Sequence, residues 1–228
     1  MQDRRFPGSQ PQGITQTQTG TTLDTSAASV LKNTYMLLGL TIAFSAVVAF
    51  FSMNMPRPGF LITLVGFYGL FFLTAKLRNS PWGLLSTFAL TGFMGYTLGP
   101  IIGMFAGAGA MGIVTDALGL TALVFFGLSA YALISKKDFS FLSGFLMAGF
   151  VVLIGATLLS VFTEISGLHL AISCGFVLFS SAAILYETGN IIHGGERNYI
   201  MATISLYVSI YNIFVSLLSI LSSFSGDD

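Results

Sequence analysis

Seven long apolar stretches constrain the fold of this chain more than any other feature of its sequence. They lie at 35–53, 59–74, 82–105, 113–134, 139–162, 168–192 and 199–224. Each is near the roughly 20 residues that an α-helix needs to cross the hydrocarbon core of a bilayer. Because the connectors are short, consecutive helices must run antiparallel, and no soluble domain fits between them. The sequence predicts an all-α integral membrane protein, folded as one compact bundle of seven transmembrane helices.

The composition agrees with a membrane protein and argues against several other classes. Of 228 residues, 54% are hydrophobic and 8% are charged, whereas soluble domains are about 25% charged. Nine basic residues balance nine acidic ones, which leaves no basic surface for nucleic acid. The single cysteine, Cys174, cannot form an intramolecular disulfide, and His169 and His193 lie at opposite ends of one predicted helix. We therefore expect no catalytic residues, no cofactor and no metal site.

The N-terminal segment differs in composition from the rest of the chain. Residues 1–30 are rich in Gln, Thr, Ser, Gly and Pro, and such a segment buries too little apolar surface to fold alone. No apolar run follows Arg4 and Arg5, as a signal peptide would require. We predict a disordered cytoplasmic tail at 1–30 and a transmembrane domain at 31–228. The tail is either an inert leader or a handle for a partner, with Asp3, Arg4 and Arg5 as its candidate binding residues.

The basic residues predict which way the bundle faces. With a cytoplasmic N-terminus, eight of them lie in or beside the inner segments, and only Arg57 lies outside. An excess of Lys and Arg on the cytoplasmic side sets the orientation of membrane proteins. We therefore predict a cytoplasmic N-terminus and an extracytoplasmic C-terminus. The eight inner residues are Arg4, Arg5, Lys32, Lys76, Arg78, Lys136, Lys137 and Arg197.

The last two apolar stretches carry the strongest candidates for a functional site. Glu187 lies within the sixth, and an acid inside a membrane is costly and marks a functional site by default. The seventh carries polar residues at steps of three and four, which place them on one helix face: Ser205, Ser209, Asn212, Ser216, Ser219 and Ser223. This arrangement predicts a pore or proton sensor formed by Glu187, Ser205, Ser209, Asn212 and Ser216. The alternative is a hydrogen-bonded Glu187 near the interface without such a role.

A second pattern lies in the third apolar stretch. Gly92, Gly95, Gly99 and Gly103 recur every three or four residues, a spacing that lets a neighbouring helix approach closely. Pro100 lacks the backbone N–H that would extend the helical hydrogen bonds, which predicts a kink. We expect tight helix packing along this stripe. A hinge at Pro100 is the further hypothesis.

Two pairs of motifs resemble the Bax inhibitor-1 family. The first pair is GFMGYTLGPIIGMF (92–105) followed by LTALVFFGLSAYAL (120–133), and the second is ILYETGNII (184–192) followed by TISLYVSIYNIFVSLLSIL (203–221). The resemblance extends over about residues 30–224. Within the family the chain is most similar to the bacterial YccA-like branch, because Glu187 stands in a Tyr-Glu-Thr motif and Ser209 ends a Leu-Tyr-Val-Ser motif.

The resemblance implies two different functions. Many family members carry Asp at the positions of Glu187 and Ser209, where the two acids form a pH-sensitive latch over a calcium leak. The YccA-like branch implies instead an inner-membrane protein that is a substrate and modulator of a membrane-anchored AAA+ protease of the FtsH type, which takes hold of a cytoplasmic tail. We take protease modulation as the leading hypothesis. The alternative is a pH-sensitive leak for calcium or protons, lined by the sixth and seventh helices.

Overall fold

The computed structural model describes residues 25–163, 165 and 167–225, and the regular structure within these ranges is entirely α-helical. The helices are α1 (Thr25–Phe51), α2 (Phe60–Leu77), α3 (Trp82–Gly107), α4 (Met111–Ser135), α5 (Leu142–Phe162), α6 (Leu168–Ile192) and α7 (Tyr199–Ser225). All seven are long and apolar enough to cross a membrane. The predicted all-helical architecture is confirmed, and the helices are those of a seven-span membrane bundle.

The first helix begins earlier than the sequence predicted. α1 starts at Thr25, so residues 25–30 belong to a helix and not to the predicted tail. Ala27 and Ala28 are strong helix formers, and Ala27 is buried in the bundle. The rest of the predicted tail, including Asp3, Arg4 and Arg5, lies outside the described residues. Its disorder and its role in binding stay predictions.

α7 lies at the centre of the bundle. It packs against α1, α3, α4 and α6, and residues on all sides of it are buried, among them Ile204, Leu206 and Ile213. α2 packs mainly against α3, and α5 mainly against α6. Each of these two outer helices has a single buried residue among those described, Thr74 and Leu153 respectively. The bundle is therefore a tight core around α7 with α2 and α5 at its edge.

The glycine stripe of α3 lies against α1. A methyl group on Gly99 would stand 2.6 Å from the carbonyl oxygen of Ala49, and one on Gly95 would stand 3.0 Å from the Cα of Ser45. The first distance is shorter than real side-chain contacts and the second is shorter than most of them, so glycine is what allows the two backbones to approach this closely. The stripe consists of Gly92, Gly95, Gly99 and Gly103. α3 continues through Pro100 as one helix, and a hinge at Pro100 stays a prediction.

Candidate functional site

Glu187 lies inside the bundle near one end of α6. It precedes the last residue of that helix, Ile192, by five positions, which corresponds to about 7.5 Å along the axis. Only 9% of its surface is exposed. Its carboxyl group interacts electrostatically with the side chain of Ser205 on α7. The acid and the first residue of the polar stripe are thus brought together on the neighbouring helices α6 and α7.

A cavity of about 730 Å³ lies beside Glu187. Its walls come from α2, α3 and α5 as well as from α6 and α7. It is therefore lined by five helices, whereas the sequence predicted a pore lined by two. The side chains that carry polar groups into its lining are Thr63, Tyr68, Thr97, Tyr186, Glu187, Glu196, Ser205, Ser209, Tyr211 and Asn212. The remaining lining residues are apolar. The cavity therefore has a small polar part and extensive hydrophobic walls.

Four of the five residues predicted to form a pore or proton sensor line this cavity. They are Glu187, Ser205, Ser209 and Asn212. The fifth, Ser216, is buried with 6% of its surface exposed but is not among the lining residues. The hydroxyl of Ser209 donates to the backbone oxygen of Ser205 at 2.9 Å, so its proton is already engaged within α7. The structure thus groups four of the five residues around one cavity.

A second acid at the cavity was not predicted from the sequence. Glu196, in the connector between α6 and α7, is half-buried, lines the same space and acts electrostatically on Glu187. Its Oε1 accepts a hydrogen bond from the backbone N–H of Asn198 at 2.6 Å. An acid in a polar connector is normally a solvated loop residue. The sequence of the connector therefore does not indicate that Glu196 lines a cavity. Only the folded chain shows that the connector turns back over the cavity.

Asn198 holds this connector in place. Its side-chain oxygen accepts from the backbone N–H groups of Ile200 and Met201, both at 3.1 Å, which caps the start of α7. Its side-chain nitrogen donates to the backbone oxygen of Arg78 at 3.1 Å and to the side-chain oxygen of Asn79 at 2.8 Å. The connector is thus fixed to the turn between α2 and α3. An Asn directly before an apolar helical run is the sequence signal for such a cap.

The chemistry of the cavity favours binding. It offers two carboxyl groups, several hydroxyls and an amide among largely aromatic and aliphatic walls. Among the described residues, no three His, Cys, Asp or Glu side chains come together in a way that could hold a metal ion. The groups present are two acidic side chains, together with hydroxyl and amide groups that can donate or accept hydrogen bonds. They suit a positively charged or hydrogen-bond-donating ligand.

Known proteins resemble the chain over nearly its whole length. The model of a family described as "Inhibitor of apoptosis-promoting Bax1" matches residues 27–226. An uncharacterized protein of Pseudomonas aeruginosa is 67% identical over 204 residues, which cover 88% of this chain and 92% of that protein. A protein of Escherichia coli named "Modulator of FtsH protease YccA" is 58% identical over 204 residues, or 89% of this chain and 93% of the relative. An "Inner membrane protein YccA" of another Escherichia coli strain shows the same identity and coverage.

Proposed function

This chain belongs to the Bax inhibitor-1 family, and we propose that it is an inner-membrane protein that binds and modulates a membrane-anchored AAA+ protease of the FtsH type. One observation carries the proposal: the relative named as a modulator of that protease is 58% identical over 93% of its own length. The match covers 89% of this chain. Binding to the protease, as a substrate or as an inhibitor, is the specific step that we transfer to this chain.

The orientation that such a partner requires is supported by the charged connectors. Those that join α2 to α3, α4 to α5 and α6 to α7 all lie at the end of the bundle where α1 begins. They carry Arg78, Lys136, Lys137 and Arg197. The connector between α1 and α2, at the other end, carries Arg57. By the positive-inside rule the N-terminus and these basic connectors face the cytoplasm, which is the side where an AAA+ ring would act.

The segment before α1 is our candidate handle for the protease. α1 begins at Thr25, and the 24 residues that precede it span at most about 80 Å when extended. They would place a grip point well away from the membrane. The bundle behind the handle is held by close backbone packing between α1 and α3. A protease that pulls on this tail would meet strong resistance at α1 and would stay occupied, which is how we propose that modulation arises.

Capture from native membranes tests the proposal. Three versions would be compared: the full chain, a version without residues 1–24, and a matched full-length version with Asp3, Arg4 and Arg5 replaced by alanine. We expect an FtsH-type protease to be captured by the full chain and lost from the truncated one. Retention in the alanine version would assign the handle to the tail as a whole, and loss would assign it to those charges.

The other results of that capture are equally decisive. If the truncated version still captures the protease, the contact lies in the bundle and the tail is not the handle. If neither the full chain nor the truncated one captures it, protease modulation is contradicted.

A cation leak is a second candidate, favoured by the position of Glu187 on the cavity together with Ser205, Ser209 and Asn212. Reconstituted liposomes would show whether calcium or protons pass, and whether Glu187→Gln changes the flux. Ser219→Ala, which alters a stripe residue away from the cavity lining, is the matched control. Absence of flux from both the native chain and the Gln variant would count against a leak.

A further inference from the structure

The charged residue types that line the cavity beside α6 and α7 are all acidic. Glu187 and Glu196 both line it near the connector between those helices. No Lys or Arg is found among the lining residues of the described chain. The basic residue Arg57 interacts electrostatically with Tyr211. Tyr211 lies about 18 Å along the axis of α7 from the first residue of that helix, Tyr199. Among the lining residues, a ligand in the inner part of the cavity would therefore meet two acidic side chains and no basic one.

Aromatic rings form much of the remaining wall. The phenylalanines among them come from four helices: Phe60, Phe67 and Phe71 from α2, Phe93 from α3, Phe150 from α5, and Phe176 and Phe179 from α6. Phe67 and Phe71 stack with their centroids 6.1 Å apart. The faces of aromatic rings attract cations, and their area attracts apolar groups. These walls therefore accept a ligand that is apolar along its length and positively charged at one end.

The size and position of the cavity fit a small molecule that arrives through the bilayer. Its volume of about 730 Å³ is within the range of roughly 300–1,000 Å³ for small-molecule sites. It is flanked by α2 and α5, the two helices with the fewest buried residues, which stand at the edge of the bundle. Amphiphilic molecules concentrate in the surrounding lipid and would meet this side of the protein.

We propose that the cavity is a binding site for small amphiphilic amines. The protonated amino group donates hydrogen bonds to the carboxylate of Glu187 and to the oxygens of Ser205 and Asn212, and the apolar body lies along the aromatic walls. A bare metal ion fits less well, because it needs several oxygen ligands and most of the wall is hydrocarbon. The site is distinct from the tail and does not depend on protease modulation.

Thermal unfolding of the full chain in lipid nanodiscs tests this site with three probes of one shape: 4-phenylbutylamine, 4-phenylbutanol and 4-phenylbutyrate. A ligand that binds the native state raises the unfolding midpoint in a concentration-dependent way. We expect a saturable rise with the amine, and little or no rise with the alcohol or the carboxylate. An equal rise with amine and alcohol, or none with the amine, would overturn the proposal.

Two variants and one control variant locate the effect. Glu187→Gln keeps the shape of the side chain and removes its charge, and we expect it to weaken the response to the amine at least tenfold. Ala183→Phe adds a ring at a lining position of α6 and should block the response by filling the cavity. Ala171→Phe adds the same ring at an exposed position of the same helix and should leave it intact. A response that survives in Glu187→Gln and Ala183→Phe would place the amine elsewhere and refute the assignment.

Discussion

The phenol of Tyr207, on α7, and the hydroxyl of Ser45, on α1, form a hydrogen bond in the centre of the bundle. Both residues are buried. The phenol also donates to the backbone oxygen of Thr91, on α3, at 3.2 Å. Ser45 in turn lies where Gly95 brings α3 close to α1. One side chain of the Leu-Tyr-Val-Ser motif thus joins three helices at a place where two of them are tightly packed.

Replacing Tyr207 with Phe should destabilise the bundle measurably. The change removes both hydrogen bonds of the phenol and keeps the ring, so the packing volume is nearly conserved. Hydrogen bonds between membrane helices contribute about 0.6 kcal/mol each on average, so we expect the free energy of unfolding to fall by about 1 kcal/mol. Unfolding of the reconstituted protein by denaturant measures this change. Tyr131→Phe is the control, because that residue is exposed, and equal effects of the two substitutions would contradict the prediction.

Adding a single methyl group at Gly95 should disrupt the contact between α1 and α3. The methyl would meet the backbone of Ser45, which cannot move aside without shifting α1. Overpacking of this kind costs about 1–3 kcal/mol, so Gly95→Ala should lower the thermal midpoint clearly. Gly119→Ala is the matched control, because a methyl there would meet nothing within 4 Å and alanine favours the helix. A Gly95→Ala protein as stable as the control would show that the helices are not so closely packed.

Cysteine labelling in intact cells should reveal the orientation of the bundle. Cys174 is exposed and would first be replaced by Ser. Single cysteines would then be placed at Asn54 and Ser140, which are exposed in connectors at opposite ends. With a cytoplasmic N-terminus, a membrane-impermeant maleimide should label Asn54→Cys from the periplasm and should label Ser140→Cys only after the inner membrane is broken. The reverse pattern would invert the proposed topology.

The helices could be predicted from the sequence because their signals are local. Length and apolarity mark each span, and steps of three and four residues place Ser205, Ser209 and Asn212 on one face. The residues that surround that face lie far away in the sequence. Ser216 continues the same periodicity yet lies off the cavity lining, because the cavity is bounded by helices that are distant in sequence and come from the edge of the bundle.

The same limit applies to the partners of predicted residues. The spacing of the glycines in α3 predicts a close helix contact, but nothing in that spacing identifies α1 as the partner. Glu196 is an ordinary connector residue until Asn198 fixes the connector to Arg78 and Asn79, residues about 120 positions away in the chain. Contacts between distant segments therefore had to come from the structure.

Asp138 should show a titration below its ordinary range in the connector between α4 and α5. The backbone N–H of Ser140 donates to its carboxylate at 2.8 Å, and this hydrogen bond, followed by one from the Ser140 side chain, lowers the pKa of Asp138 below 3.8. Because the folded pKa is depressed, the carboxylate stabilises the folded turn above the unfolded pKa, and this contribution is lost as the pH falls through the folded value. The amide resonance of Ser140, followed by NMR in detergent, should therefore shift with a midpoint below pH 3.8. Asp138→Asn keeps an oxygen acceptor and cannot titrate, so its Ser140 resonance should stay constant over the same range. A native midpoint at or above 3.8 would mean that the N–H does not hold the carboxylate in solution.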